Sequence, residues 1–163
     1  MKAFGLWALL TAFFYVLQTS LLPFFAYNGV STNFMLLLTV STAFILGARK
    51  GVFMGFAAGL LQDLTTGSFF GCSIFSYMLI GFGCGKFSTH VFKEQFFMPV
   101  LTSIFAAAFH YFMMLGFMFL LGYRLDIKFN IEHVLLPMLI YQFAFAYPVH
   151  KIVFNFDKRI RRT

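Results

Sequence analysis

Long apolar runs, separated by short groups of glycine, proline and charged residues, divide the 163-residue chain into six segments. A transmembrane α-helix needs about 20 predominantly apolar residues, a length that most of these runs approach. Turn-forming residues such as Tyr27-Asn28-Gly29 and charged residues such as Arg49-Lys50 mark their ends. The pattern therefore predicts an all-α, polytopic membrane protein with six transmembrane helices. They are expected at residues 4–25, 33–47, 51–66, 69–85, 96–122 and 132–154.

The third segment differs from the others because glycine recurs in it at every fourth position. A step of four residues keeps side chains on one broad helix face, and a face of small residues lets another helix approach closely in lipid. This face is expected to pack either against a partner helix or against the chain's own fourth segment. The sequence also leaves a homodimer open. The stripe consists of Gly51, Gly55, Gly59, Asp63, Gly67 and Gly71.

The third segment is also short, since its uninterrupted apolar run ends at Leu61. A run of that length falls well below the roughly 20 residues of a full span. The third and fourth segments are therefore expected to form either two short spans or a re-entrant hairpin. The pattern leaves both open.

The composition agrees with the membrane class. Hydrophobic residues make up 61% of the chain and charged residues only 10%, and the mean hydropathy is +0.86. A soluble domain carries about 25% charged residues. The first segment starts at Ala3 and lacks an A-x-A-like cleavage site, so we expect a retained helix rather than a signal peptide. Residues 1–163 are expected to form a single integral membrane domain.

The net charge of +7 predicts orientation rather than binding to nucleic acid, because the basic residues lie in short loops and the tail. With six spans, ten basic residues fall on the side of both termini, and only Arg124 and Lys128 fall on the other. This bias predicts a multi-pass membrane protein with both termini in the cytoplasm. The basic tail after Asp157 can also contact anionic membrane lipid.

Several polar side chains interrupt the apolar segments, and most fall toward the outer half of the membrane in this orientation. Unpaired polar groups cost free energy in lipid, so these side chains should meet one another or line a wet cavity. They form either a buried hydrogen-bond network that holds the helices in register or an outward-facing pocket or docking site for a partner helix. The candidates are Gln18, Asn33, Gln62, Asp63 and His110.

Asp63 has two interpretations of its own. It either satisfies backbone groups where the helix breaks, together with Thr65, Thr66 and Ser68, or pairs with a cation such as His110. No arrangement of residues in the sequence indicates catalysis, a cofactor or a metal: there is no Ser–His–Asp set, HExxH motif, P-loop or Cys/His spacing typical of a metal site. We therefore expect a protein that is not an enzyme.

The third segment also resembles a known family. The motif G-x-x-x-G-x-x-x-G-L-L-Q-D-L runs from Gly51 to Leu64 and is followed by two further glycines. With the apolar run after Asn33 and the six-segment layout, it is similar to MreD, a family of bacterial rod shape-determining membrane proteins. Thr32 stands where relatives often have proline.

The resemblance implies a partner rather than a substrate. Proteins of this family act with MreC, a single-span periplasmic protein, in machinery that includes MreB filaments, RodA and a class B penicillin-binding protein. Their fold is similar to that of the S components of energy-coupling-factor vitamin transporters. The resemblance thus implies a non-enzymatic scaffold that binds the MreC transmembrane helix and helps to position or regulate peptidoglycan synthesis. The alternative is a solute-binding, S-like subunit of a vitamin transporter.

Overall fold

The computed structural model describes residues 2–20, 22–26, 32–66, 70–88, 97–124 and 126–162, and their regular structure is helical. Gly67 of the glycine stripe, Ser68 and the turn 27–29 lie outside the described residues. The helices are α1 (Lys2–Ser20), α2 (Leu22–Phe25), α3 (Phe34–Leu46), α4 (Ala48–Thr66), α5 (Cys72–Phe87), α6 (Phe97–Leu120), α7 (Ile127–Asn130), a π-helical turn (Ile131–Leu135) and α8 (Leu136–Arg162). The prediction of an all-α protein is confirmed.

Within these ranges, two stretches are long and apolar enough to cross a membrane, Phe97–Leu120 and Ile127–Ile160. Shorter apolar helices accompany them at Gly5–Ser20, Phe34–Leu46 and Cys72–Phe87. The 16 residues of α5 span about 24 Å, less than the roughly 30 Å of a hydrocarbon core. The count of six spans stays a prediction, as does the choice between two short spans and a re-entrant hairpin.

Helix α3 is the centre of the bundle. Every residue from Phe34 to Ile45 is buried, and α3 packs against α1, α4, α5, α6 and α8. A helix that is apolar and buried on all sides belongs to the core of a helical assembly. The surrounding helices turn large side chains such as Phe53, Phe105 and Ile140 outward. An apolar exterior around a packed interior is what a lipid environment favours.

The start and end of α3 differ from their predicted positions. Asn33 caps the helix, because its side chain accepts a hydrogen bond from the Leu36 N–H at 3.1 Å. Thr32 lies one residue before this cap. After α3, Gly47 has a φ of 89°, a positive value that glycine adopts readily and other residues rarely do. The chain reverses there, so Arg49 and Lys50 lie in the first turn of α4 instead of ending the second segment.

The last helix is longer than predicted at both ends. Helix α7 begins at Ile127, between the predicted segments 96–122 and 132–154, and runs through the π-helical turn into α8 without a break. At the other end α8 continues to Arg162, through residues predicted as a tail. Lysine and arginine are good helix formers, so a change from apolar to basic residues does not end a helix.

The two ends of the bundle differ in charge. Helices α4 and α5 run antiparallel, so Lys86 lies at the same end as Arg49 and Lys50. The rings of Trp7 and Phe156 pack edge to face at a centroid distance of 5.6 Å, which places the last turns of α8 beside the start of α1. We call this the basic end. The opposite end, where α1 and α4 finish and α3 begins, is the polar end.

Candidate functional site

The glycines of α4 form the contact with α5. Gly55 lies against the main-chain carbonyl group of Tyr77, and a Cβ atom added to Gly59 would lie 2.6 Å from the Cα atom of Ile74. Gly51 makes the same kind of backbone contact one turn earlier. Helix α5 therefore occupies the face formed by these three glycines. A partner helix or a second copy could reach it only by separating α4 from α5.

Helix α5 contributes glycines of its own to this contact. Gly81 fits against the main chain of Gly51, and Gly85 fits against Ala48. Gly71 has a different role, because it precedes α5 with a left-handed φ of 105°, and no atom of the described residues lies within 4 Å of a Cβ atom added there. The predicted stripe thus divides into a packed part in α4 and a turn residue at the start of α5.

Asp63 binds the first turn of α5. Its Oδ2 atom accepts hydrogen bonds from the N–H groups of Gly71 at 2.8 Å and Ile74 at 3.3 Å, and its Oδ1 atom accepts one from Ser73 at 3.2 Å. The side chain is buried, with 4% of its surface exposed. The first N–H groups of a helix lack partners within the helix, and a carboxylate is favourable there. Asp63 therefore satisfies backbone groups, but those of the next helix and not of its own.

His110 makes no hydrogen bond to Asp63. Its ring packs edge to face against the ring of Tyr77, with a centroid distance of 5.0 Å. Its Nδ1 atom is buried and has no hydrogen-bond partner in the described part of the chain. Of the two interpretations of Asp63, the pairing with His110 is therefore not seen. His110 makes an aromatic contact with Tyr77 instead.

Asn33 is the centre of a hydrogen-bond network that joins three helices. Besides capping α3, it donates through Nδ2 to the hydroxyl of Tyr77 in α5. Its backbone N–H donates to Oε1 of Gln142 in α8 at 3.4 Å. The hydroxyl of Thr32 donates to the same oxygen at 2.8 Å. The start of the central helix is thus held by side chains from α5 and α8.

A second branch reaches α1 and α4. Gln18 accepts a hydrogen bond from the Met35 N–H at 3.1 Å and donates through Nε2 to Oε1 of Gln62 at 2.7 Å. Gln62 in turn donates to the hydroxyl of Thr66 at 3.3 Å. The structure therefore brings Gln18, Asn33 and Gln62 together, whereas neighbouring Asp63 turns toward α5.

A cavity of about 270 Å³ lies beside this network, at the polar end of the bundle. The hydroxyl of Tyr111, like Nδ1 of His110, is buried and has no partner among the described residues. The walls combine amide, hydroxyl and imidazole groups with two methionines, so the cavity suits a neutral polar group or water. Its lining residues are Gln18, Thr32, Asn33, Gln62, His110, Tyr111, Met114 and Met138.

Sequence reasoning did not place Tyr77, Tyr111 or Gln142 at this site. Gln142 is completely buried, and its Nε2 atom has no hydrogen-bond partner within the described ranges. A strongly polar residue inside an apolar segment was a usable signal for it. The tyrosines gave no such signal, because tyrosine is common in membrane proteins at interfaces. Across the described residues, no three His, Cys, Asp or Glu side chains converge to hold a metal ion.

The packed helical interior, the apolar exterior and the buried polar network define an α-helical membrane protein. The chain matches the family model of the rod shape-determining protein MreD over residues 1–160, and it therefore belongs to the MreD family. This family is one of membrane proteins that determine rod shape, not a family of enzymes. No curated protein and no solved structure matches the chain. The similarity to S components accordingly stays a prediction.

Proposed function

We propose that the chain is a non-enzymatic scaffold of the cell-elongation machinery in the bacterial inner membrane. In this proposal it binds MreC and, through MreC, helps to position or regulate peptidoglycan synthesis by RodA and a class B penicillin-binding protein alongside MreB filaments. Membership of the MreD family supports the role in rod shape. The family match does not say where a partner binds, so that part of the proposal depends on the geometry of the site.

The glycine face of α4 is a poor candidate for the partner surface, because α5 already covers it. The cavity is a better candidate for the partner surface. The single observation that carries the proposal is that Nδ1 of His110 and the hydroxyl of Tyr111 are buried beside the cavity and have no hydrogen-bond partner among the residues that the structure describes. Leaving a buried polar atom unsatisfied costs roughly 1–3 kcal/mol of free energy. A polar group of a partner that hydrogen-bonds to that atom would remove most of this cost.

The position of the cavity also suits this partner. The basic end carries Arg49, Lys50 and Lys86, and the cavity lies at the other end. The distribution of basic residues predicts that this other end faces the outside of the cell. MreC is expected to cross the membrane once and to continue in the periplasm. Its transmembrane helix would therefore lie against the cavity opening, with a polar group inserted and its apolar side chains packed on the surrounding helices.

Filling the cavity tests this proposal. Met114 lines the cavity, and Met114→Trp should occupy it and reduce co-purification of MreC at least several-fold. Met113→Trp is the matched control, because it adds the same volume to the same helix one position away, outside the cavity lining. Both proteins must elute as monodisperse species from detergent. Equal recovery of MreC with both variants would contradict docking at the cavity.

These observations do not support the alternative of a solute-binding transporter subunit. The family determines cell shape. In addition, the cavity of about 270 Å³ is slightly smaller than the roughly 300–1,000 Å³ of typical small-molecule pockets.

A further inference from the structure

A second, apolar groove lies between α6 and α8, away from the cavity. It has a volume of about 420 Å³ and is lined by Phe97, Val100, Phe143, Ala144 and Tyr147. Its three aromatic side chains have 50–71% of their surface exposed, so the groove opens on the outside of the bundle. Its volume lies within the roughly 300–1,000 Å³ range of ligand pockets.

The groove ends at a positive charge. Lys151 lies one turn beyond Tyr147 on α8, and its Nζ atom is 6.0 Å from the centroid of the Tyr147 ring. Lys158 follows two turns later on the same face of α8, and both lysines are exposed. An apolar groove open to the exterior thus continues directly into a basic stripe at the basic end of the molecule.

We propose that this groove binds an acyl chain of an anionic phospholipid, whose phosphate group pairs with Lys151. The surface of the groove is mainly apolar and aromatic, which suits a hydrocarbon chain. The lysine at its end offers a cation with which a lipid phosphate can pair. A basic side chain near an anionic membrane surface contributes about 1 kcal/mol to binding. The proposal assigns one defined lipid site to α6 and α8, beyond general attraction of the basic tail to the membrane.

The test compares phosphatidylglycerol with phosphatidylcholine on the purified full-length chain in detergent. Lipid retention is counted by native mass spectrometry, and stabilisation is followed as a shift in apparent Tm. We expect tighter retention of phosphatidylglycerol. Lys151→Gln should reduce that preference roughly fivefold, which corresponds to about 1 kcal/mol. Lys50→Gln is the matched control, because it removes the same exposed charge from the same end of the molecule, outside the groove.

A second variant tests the acyl-chain part of the site. Ala144 is exposed in the groove, so Ala144→Trp should fill it without disturbing the core and should abolish the retained phosphatidylglycerol. Unchanged lipid retention in this variant would overturn the proposal, as would equal effects of Lys151→Gln and Lys50→Gln. A change in oligomeric mass instead of lipid count would assign the groove to a second copy and would likewise overturn it. Should the tryptophan variant misfold, Ala144→Leu and the lysine pair still decide the question.

Discussion

Gly55 lies so close to Tyr77 that a Cβ atom at position 55 would be 2.7 Å from the Tyr77 carbonyl carbon. The side chain of the same tyrosine accepts a hydrogen bond from Asn33 and packs against His110. The close approach of α4 and α5 therefore fixes the position of a tyrosine that contacts both Asn33 and His110, two residues of the cavity wall. A change in the packing of Gly55 against Tyr77 should therefore also move the side chains at the cavity.

A methyl group at position 55 should destabilise the protein. Gly55→Ala must push α4 away from the Tyr77 backbone, and such overpacking costs roughly 1–3 kcal/mol. Gly83→Ala is the control in the facing helix, because no atom in the described part of the chain lies within 4 Å of an added Cβ there. In a helix, alanine is more favourable than glycine by up to about 1 kcal/mol, so that variant should be neutral or slightly more stable. Thermal unfolding in detergent measures the stability of both variants. Equal stability would refute the close packing of α5 on the glycine face of α4.

Asp63 should stabilise the protein by accepting hydrogen bonds at the start of α5. Asp63→Ala removes the acceptor for three backbone N–H groups and is expected to lower stability by about 1–3 kcal/mol. Asp63→Asn keeps one carbonyl oxygen and should lose less. The exposed N-cap of α7 provides a comparison: Asp126→Ala should cost about 1 kcal/mol or less.

A functional ion pair at Asp63 would give the opposite pattern. In that case Asp63→Asn would fail as severely as Asp63→Ala while Asp63→Glu kept activity. Rod shape and protein abundance in cells, scored for all three variants, distinguish the two roles.

The hydrogen bond between Asn33 and Tyr77 should be measurable as a coupling energy. Tyr77→Phe leaves Nδ2 of Asn33 buried without its partner, whereas Asn33→Ala removes the cap of α3 as well. Contacting residues typically couple by roughly 0.5–3 kcal/mol. We expect the double variant to lose less stability than the sum of the single variants, and strict additivity in denaturant unfolding would rule the bond out.

The predicted orientation can be checked by labelling. In a background without Cys72 and Cys84, a cysteine at Asp126 should react with an impermeant thiol reagent in intact cells, because Asp126 lies at the polar end of the bundle, opposite the basic end. A cysteine at Arg159 should react only after the cells are opened. Reversal of these results would overturn the cytoplasmic assignment of the basic end.

The segment pattern was largely predictable from sequence, but the choice of the central helix was not. In lipid, apolar side chains occupy both interior and exterior positions, so the buried run from Phe34 to Ile45 looks like the exposed ones. The glycine spacing predicted a close helix contact without naming the partner helix. Gln62 and Asp63 were grouped because they are adjacent, yet adjacent residues point about 100° apart on a helix and these two contact different helices. The hydrogen-bond partners at Tyr77 and Gln142 come from distant segments, which local spacing does not reveal.

The most direct test of the central proposal is a site-specific photocrosslink in living cells. A small diazirine-bearing amino acid at Met114 would report what lies at the cavity, and the same group at the outward-facing Phe53 of α4 serves as the control. With both proteins present at equal abundance, we predict an adduct with MreC from position 114 and none from position 53. An MreC adduct from position 53 with none from position 114, or an adduct of the chain with itself from position 114, would contradict docking of MreC at the cavity.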